Sequence, residues 1–242
     1  MTFVALHGFT QRGSMWGEVA ALVGGEWITP DLPGHGATPP CPWDEAVAGV
    51  VSLLSATAAP RCLVGYSMGG RLGLAVAVEH PGVLERLVLI SASPGIADSE
   101  ERSRRGEEDE ALAGRIEEIG VGVFLEEWLA QPWFAGPSLP PPEWQTAERA
   151  IRLGSSARGL AGALRLLGQG AQPYLGDRLA DLSLPVLLVA GNDDRCYADL
   201  AVRMGQEARW ATVHLIDGAA HAVVAQRPEA VAAAMEGWLA SG

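Results

Sequence analysis

Cys62-Leu63-Val64-Gly65-Tyr66-Ser67-Met68-Gly69-Gly70-Arg71 is the stretch on which the reading of this chain turns. A short apolar run leads into a glycine-flanked serine, and a helix-length segment, Met68–His80, follows and stops before Pro81. Between strand and helix, G-x-S-x-G has the pattern of a nucleophile elbow. The turn is so tight that side chains at positions 65 and 69 would collide with neighbouring backbone, while Ser67 is held above the sheet edge in a strained conformation. The helix that follows aims its N-terminus at the same point, so backbone N–H groups and the helix dipole favour negative charge there.

Working outward, further short apolar runs end in glycine-rich turns: Phe3–Leu6, Trp27–Thr29, Leu87–Ile90, Val186–Ala190 and Val213–Ile216. Their length and continuous apolar character suit parallel strands buried on both faces. Helix-length segments lie between several of them, and another, Glu229–Leu239, follows Pro228. Alternation of this kind implies a mostly parallel sheet with helices on both faces. One stretch breaks the rhythm. From about Asp98 to Gly170 a charged run, Glu100-Glu101-Arg102-Ser103-Arg104-Arg105, precedes apolar residues at helical spacing, among them Ile116, Ile119, Phe124 and Leu125. A proline-rich turn, Pro137 to Pro142, then separates a second helical part, Trp144 to Leu167. The expectation is a core of residues 1–97 and 171–242 with a helical cap inserted over 98–170.

A serine elbow needs a base and an acid. The run Val186–Ala190 ends in Gly191-Asn192-Asp193-Asp194, and the turn after Val213–Ile216 carries His221. Serine, acid, histidine is the chain order of the α/β-hydrolase fold. An acid after one strand and a histidine after the next come to the carboxyl edge of the sheet, where Ser67 stands. Asp193 and Asp194 compete for the acid. The G-x-x-D spacing of related hydrolases selects Asp194, leaving Asp193 as a solvated turn residue. The amides of Phe9 and Met68 are the expected oxyanion hole. His7 reads as ordering the Gly8 loop, and His35, in Asp31-Leu32-Pro33-Gly34-His35-Gly36, as a loop-structuring residue; His80 and His214 read as structural. The five histidines lack metal-ligand spacing, so neither metal nor cofactor is expected.

Composition bounds the rest. A chain of 242 residues, 48% of them hydrophobic, can bury one large core. A formal charge of −12 argues against nucleic-acid or anionic-membrane binding, which need clustered positive charge. Cys41, Cys62 and Cys196 are widely spaced and odd in number, which indicates free thiols in a reducing compartment. The N-terminus has no signal-peptide pattern and no run reaches the length of a membrane span, so a soluble, cytoplasmic protein is expected. Oligomeric state is not legible.

Taken together, Leu6-His7-Gly8-Phe9-Thr10, Asp31 to Gly36, Tyr66-Ser67-Met68-Gly69-Gly70-Arg71 and Ser91-Ala92-Ser93-Pro94-Gly95 resemble the 2-succinyl-6-hydroxy-2,4-cyclohexadiene-1-carboxylate synthases of menaquinone biosynthesis. The cap agrees, with arginines ending at Arg105 before Asp109, then Trp128-Leu129-Ala130-Gln131-Pro132-Trp133-Phe134, then Arg152. The resemblance implies a lyase that eliminates pyruvate from a cyclohexene bearing enolpyruvyl, succinyl and carboxylate groups, with the triad as base. It implies substrate contacts from Tyr66, Arg71, Arg105, Trp128, Phe134 and Arg152. Three carboxylates call for guanidinium partners, and Arg71, one helical turn past Ser67, is placed to face the same pocket. Cys196, Ala220 and Leu129 depart from the family pattern, which often has lysine, glycine and tyrosine there. The competing readings are a serine carboxylesterase or carbon–carbon-bond hydrolase and, against the intact triad, a non-catalytic binding protein of the same fold.

Overall fold

The computed structural model describes residues 1–131 and 139–241. Its centre is a sheet of six strands, β1 (Thr2–Leu6), β2 (Glu26–Ile28), β3 (Arg61–Tyr66), β4 (Arg86–Ile90), β5 (Val186–Gly191) and β6 (Ala211–Ile216). The order across the sheet is β2-β1-β3-β4-β5-β6, and every pairing is parallel. The apolar runs read from the sequence form the bodies of these six strands, with bounds shifted by a residue or two: β2 starts at Glu26 and stops before Thr29, and β1, β3, β4, β5 and β6 extend past the runs. Parallel pairing needs a crossover each time, and the crossovers supply the two covering layers.

Side chains alternate strictly between those layers. Val4, Leu6, Leu63 and Leu87 point to one face, where α2 (Trp43–Ala56), α3 (Met68–Glu79) and α7 (Arg195–Glu207) cover them. Phe3, Ala5, Cys62, Val64 and Val88 point to the other, under Trp16 and α9 (Pro228–Ala240), with α1 (Gly17–Val23) beside them. This two-sided burial explains why the strands show continuous apolar sequence.

Between β4 and β5 the chain leaves the sheet for α4 (Ser99–Leu129), α5 (Pro142–Arg152) and α6 (Ala157–Leu167). α4 is broken at Gly120, whose φ of 75° lies in the left-handed region. The break lets Ile116 and Phe124 face one small core with Leu160, Ala161 and Leu164 of α6. The second helical part expected over Trp144 to Leu167 is two helices: α5 stops at Arg152, and Ser156 caps α6 by accepting from the Gly159 amide. α8 (Val223–Gln226) is a single turn before α9. Among the described residues no helix is long and apolar enough to cross a membrane.

The helical insertion seats on the core through a glycine contact. A Cβ on Gly159 would lie 2.6 Å from the Gly34 carbonyl oxygen, and one on Gly34 would lie 2.5 Å from that of Gly159. Gly114, on α4, has open space instead. Two helical glycines therefore carry opposite expectations. Gly114→Ala should stabilise by about 1 kcal/mol through helix propensity alone. Gly159→Ala gains the same propensity but forces the insertion off the Asp31–Gly36 loop, an overpacking cost of about 1–3 kcal/mol, and should lower stability. Urea unfolding of both variants checks the pair; equal shifts would mean that the seat is loose.

Candidate active site

β3 ends at Tyr66 and α3 begins at Met68, so Ser67 alone makes the turn, at φ 50° and ψ −111°. Three close approaches enforce it. A Cβ at Gly65 would stand 2.5 Å from the Gly69 carbonyl oxygen, one at Gly69 would stand 2.4 Å from that of Leu6, and one at Gly70 would stand 2.6 Å from Ala92 Cβ. The Ser67 amide donates to the Ile90 carbonyl at 2.9 Å, which ties the turn to β4.

His221 follows β6 and meets Ser67 from across the sheet edge. Its Nε2 is 3.1 Å from Ser67 Oγ, and its Nδ1 is 2.8 Å from Asp194 Oδ2. A carboxylate only accepts, so Nδ1 carries the hydrogen and Nε2 presents its lone pair to the serine hydroxyl. Asp194 is fixed in turn as the N-cap of α7, where its Oδ1 accepts from the Tyr197 amide at 3.4 Å. Asp193 is exposed and uses its amide on the Ala219 carbonyl, away from His221.

The turn after β1 is built by two buried histidines. His7 Nε2 accepts from the Leu32 amide at 2.8 Å, which leaves Nδ1–H to donate to the Gly8 carbonyl, also at 2.8 Å. His35 Nε2 accepts from the Thr10 amide at 3.1 Å, with Nδ1 against the Pro33 carbonyl. Thr10 itself has a φ of 66°. These bonds cross-link the Gly8–Thr10 turn to the Asp31–Gly36 loop. Burial drives the His7 imidazole down to about 3 and that of His35 to about 4, so both are neutral hydrogen-bonding parts.

Three arginines converge on the same cleft with different partners. Arg71 is 5% exposed; among the described residues its side chain meets only the neutral amide of Gln172, with Nη1 3.4 Å from Oε1. Burial lowers its guanidinium to about 10, and it remains charged at neutral pH. Arg152, also buried, pairs with Glu148 at 3.1 Å and donates from Nη1 to Thr10 Oγ1 at 2.6 Å. Arg105 pairs with Asp109 at 2.9 Å and donates to Gln169 Oε1 at 3.0 Å. Asp109 is buried and also accepts from the Gly170 amide.

The cleft, about 1570 Å³, brings together Phe9, Tyr66, Ser67, Met68, Arg71, Arg105, Trp128, Arg152, Asp194 and His221. Phe134 lies outside the described residues. Leu129 is partly exposed at 36% and Ala220 is buried, its amide donating to Gln226 Oε1. Cys196 lines the cleft, and burial and Asp194 push its thiol up, which keeps it neutral. Sequence reasoning passed over Gln169, Gln172 and Tyr197. Tyr197 stacks obliquely on His221 with ring centroids 4.5 Å apart. Its place in the first turn after Asp194 was the available signal. Among the described residues no group of three or more His, Cys, Asp or Glu side chains is arranged to hold a metal.

The sequence profile of the alpha/beta hydrolase family matches residues 3–234. A 2-succinyl-6-hydroxy-2,4-cyclohexadiene-1-carboxylate synthase of Pectobacterium atrosepticum is 33% identical over 211 residues, 84% of this chain and 81% of its own. A putative synthase of the same name from Bacillus subtilis is 29% identical, over 93% of this chain and 85% of that protein. Among solved structures, MenH from S. aureus superimposes with a TM-score of 0.92 at 28% identity, covering 100% of this chain and 94% of that one. A thermophilic esterase from Thermogutta terrifontis, malate bound, gives 0.80 at 25% identity, covering 100% and 90%.

The two neutral histidines make stability depend on pH. Their folded values lie below the ordinary histidine value of 6.5, so the unfolded chain takes up protons first as pH falls. The folded state keeps its full advantage above about pH 6.5 and loses it progressively down to about pH 3–4, at up to about 2.7 kcal/mol per pH unit for the pair. Denaturant midpoints measured from pH 8 to pH 5 should fall, and the fall should be about half as steep in His35→Gln. A flat profile in the wild type would show that the imidazoles are charged or solvated.

Proposed function

We propose a reaction on one premise: the chain belongs to the alpha/beta hydrolase family and, within it, to the 2-succinyl-6-hydroxy-2,4-cyclohexadiene-1-carboxylate synthases. It is a lyase. It converts 2-succinyl-5-enolpyruvyl-6-hydroxy-3-cyclohexene-1-carboxylate to 2-succinyl-6-hydroxy-2,4-cyclohexadiene-1-carboxylate and pyruvate. The observation that carries the reading is Arg71, a buried guanidinium that among the described residues is hydrogen-bonded only to an amide and paired with no carboxylate, in one cleft with a hydrogen-bonded Ser67–His221–Asp194 set. A buried charge without a counter-ion is costly unless a ligand supplies one, and a neutral ester supplies none.

The chemistry follows from the substrate's own connectivity. The ring proton at C2 is acidic because the succinyl ketone is attached there. The Ser67–His221 pair removes it; the serine hydroxyl passes its proton to Nε2, and Asp194 stabilises the imidazolium. The electrons left behind form C2=C3, the existing C3=C4 bond moves to C4=C5, and the C5–O bond breaks. The leaving enolpyruvate takes up a proton as pyruvate. While charge sits on the succinyl carbonyl, the Phe9 and Met68 amides hold it. Tyr66 and Trp128 shape the walls, and Arg71, Arg105 and Arg152 grip the carboxylates. Asp109 and Glu148 orient two of those arginines and still leave guanidinium hydrogens to spare, because each group has five.

The same reading divides the chain into a core of residues 1–97 and 171–242 and a cap of 98–170. It takes a small polycarboxylate as the partner, and the free cysteines favour a reducing cytoplasm. A hydrolase reading keeps some support from the esterase likeness, since one serine–histidine pair can attack carbon or remove a proton.

Supplying the enolpyruvyl cyclohexene acid should release pyruvate in one-to-one yield with the diene, and deuterium at C2 should slow turnover when chemistry is rate-limiting. Ser67→Ala and His221→Ala should each cost about 10³-fold or more in kcat, and Asp194→Asn should be far worse than Asp193→Asn. Rapid cleavage of a nitrophenyl ester with a serine-bound intermediate, and no pyruvate, would make the protein a hydrolase.

A further inference from the structure

Tyr197 Oη accepts a hydrogen bond whose direction is set two residues away. Arg105 is purely a donor, so the Gln169 oxygen must face its Nη1, at 3.0 Å. That leaves Gln169 Nε2 facing Tyr197 Oη at 2.8 Å, and an amide nitrogen only donates. Asp109 holds Arg105 by its Nε at 2.9 Å and is itself held by the Gly170 amide, so the starting point of the chain is fixed. The phenol spends an acceptor position on Gln169, and its own hydrogen must point elsewhere. Among the described residues no acceptor meets it. The hydroxyl belongs to a residue of the cleft wall, and burial raises the phenol above its ordinary value, so it keeps that hydrogen. Arg71 and Arg105 are both close enough to act on it electrostatically.

We propose that the Tyr197 hydroxyl donates a hydrogen bond to the substrate carboxylate bound by Arg71, with its direction set by Arg105 through Gln169. The inference rests on the polycarboxylate reading above. It gives the carboxylate held by Arg71 a further donor that Gln172 does not supply, since Gln172 turns its oxygen to Arg71 and spends an amide hydrogen on the Ser93 carbonyl. It also gives Arg105 and Gln169 a positioning role, because the polarity of one amide decides whether the phenol faces ligand or protein. Tyr197 is the neighbour of Asp194's cap bond and of the His221 ring, so a carboxylate anchored there holds the substrate in register with the base.

The test uses the full chain and two probes. Binding of 3-benzoylpropionate, an aryl keto acid resembling the succinyl arm, is measured by calorimetry. Tyr197→Phe, which keeps the ring against His221, should weaken it about tenfold, as expected for a lost hydrogen bond to a charged group. Gln169→Glu still accepts from Arg105 but also accepts from the phenol, turning the hydrogen away from the ligand. It should weaken binding similarly, and adding Tyr197→Phe to it should cost little more. With the enolpyruvyl cyclohexene acid, Tyr197→Phe should raise KM more than it lowers kcat. Unchanged affinity in Tyr197→Phe, no binding of the keto acid by the wild type, or full additivity of the two substitutions would overturn the assignment. If the wild type releases no pyruvate while Tyr197→Phe still weakens the keto acid, the reaction reading falls and the donor stands.

Discussion

The distance between α3 and the ends of β1 and β3 is the constraint on which the rest depends. Backbone meets backbone there without side chains between: the Gly69 position abuts the Leu6 carbonyl, and Gly65 abuts Gly69 and Gly70. That approach allows one residue to turn strand into helix, at the cost of a left-handed serine. It also places the site in the sheet. The chain runs outward from β1 to β2 and then crosses to β3 on the other side, so the crevice between β1 and β3 is the topological switch point. The two pieces of backbone proposed to stabilise negative charge, at Phe9 and Met68, follow these two strands, whose register pairs Leu6 with Gly65.

Charge in the cleft is arranged by the same economy of parts. All seventeen basic residues of the chain are arginine. A guanidinium can be held by one carboxylate through one edge and still offer hydrogens from another, as an ammonium held in place cannot do with fixed geometry. Asp109 and Glu148 use Arg105 and Arg152 in this way, from one helical turn away. Arg71 differs because it sits on α3, buried along nearly its whole length, and is hydrogen-bonded among the described residues only to the Gln172 amide, with Asp109 acting on it from beyond hydrogen-bond reach. A protein of net charge −12 can therefore receive a polyanion, since the exposed acidic surface is screened over about 8–10 Å while the buried guanidiniums are not.

What was legible in the sequence was what local sterics and periodicity encode. The glycines of the elbow, the apolar runs of the six strands and the order of Ser67, Asp194 and His221 each carry their reason within a few residues. The helix break at Gly120 and the split at Ser156 were less visible, because both depend on how α4 and α6 share a small core. Gln169 and Gln172 were not visible at all, and Tyr197 only through its place in the first turn after Asp194. Glutamine and tyrosine carry no motif here; their roles arise from contacts across the fold, such as that between Arg105 and Gln169, 64 positions apart. The choice between Asp193 and Asp194 needed the spacing of related proteins, and the hydrogen bond to His221 gives it a physical ground.

An intact triad does not by itself decide between attack on carbon and removal of a proton. The same Nε2 lone pair serves both, and so does the same pair of amides. The difference lies in what the rest of the cleft fixes in place. An acyl transfer needs the carbonyl carbon over Ser67 Oγ, whereas the elimination needs a C–H bond there, with the carbonyl oxygen displaced toward the amides. Small displacements of this kind are set by the distant ends of a ligand, and toward those ends the cleft presents arginines from α3, α4 and α5. On this view the insertion between β4 and β5 selects the reaction: Arg105 and Arg152 belong to it, and Arg152 is bonded to Thr10 beside Phe9. The seat of the insertion and the placement of the Gly8–Thr10 turn are thereby linked, through the Arg152–Thr10 bond and the close Gly34–Gly159 contact.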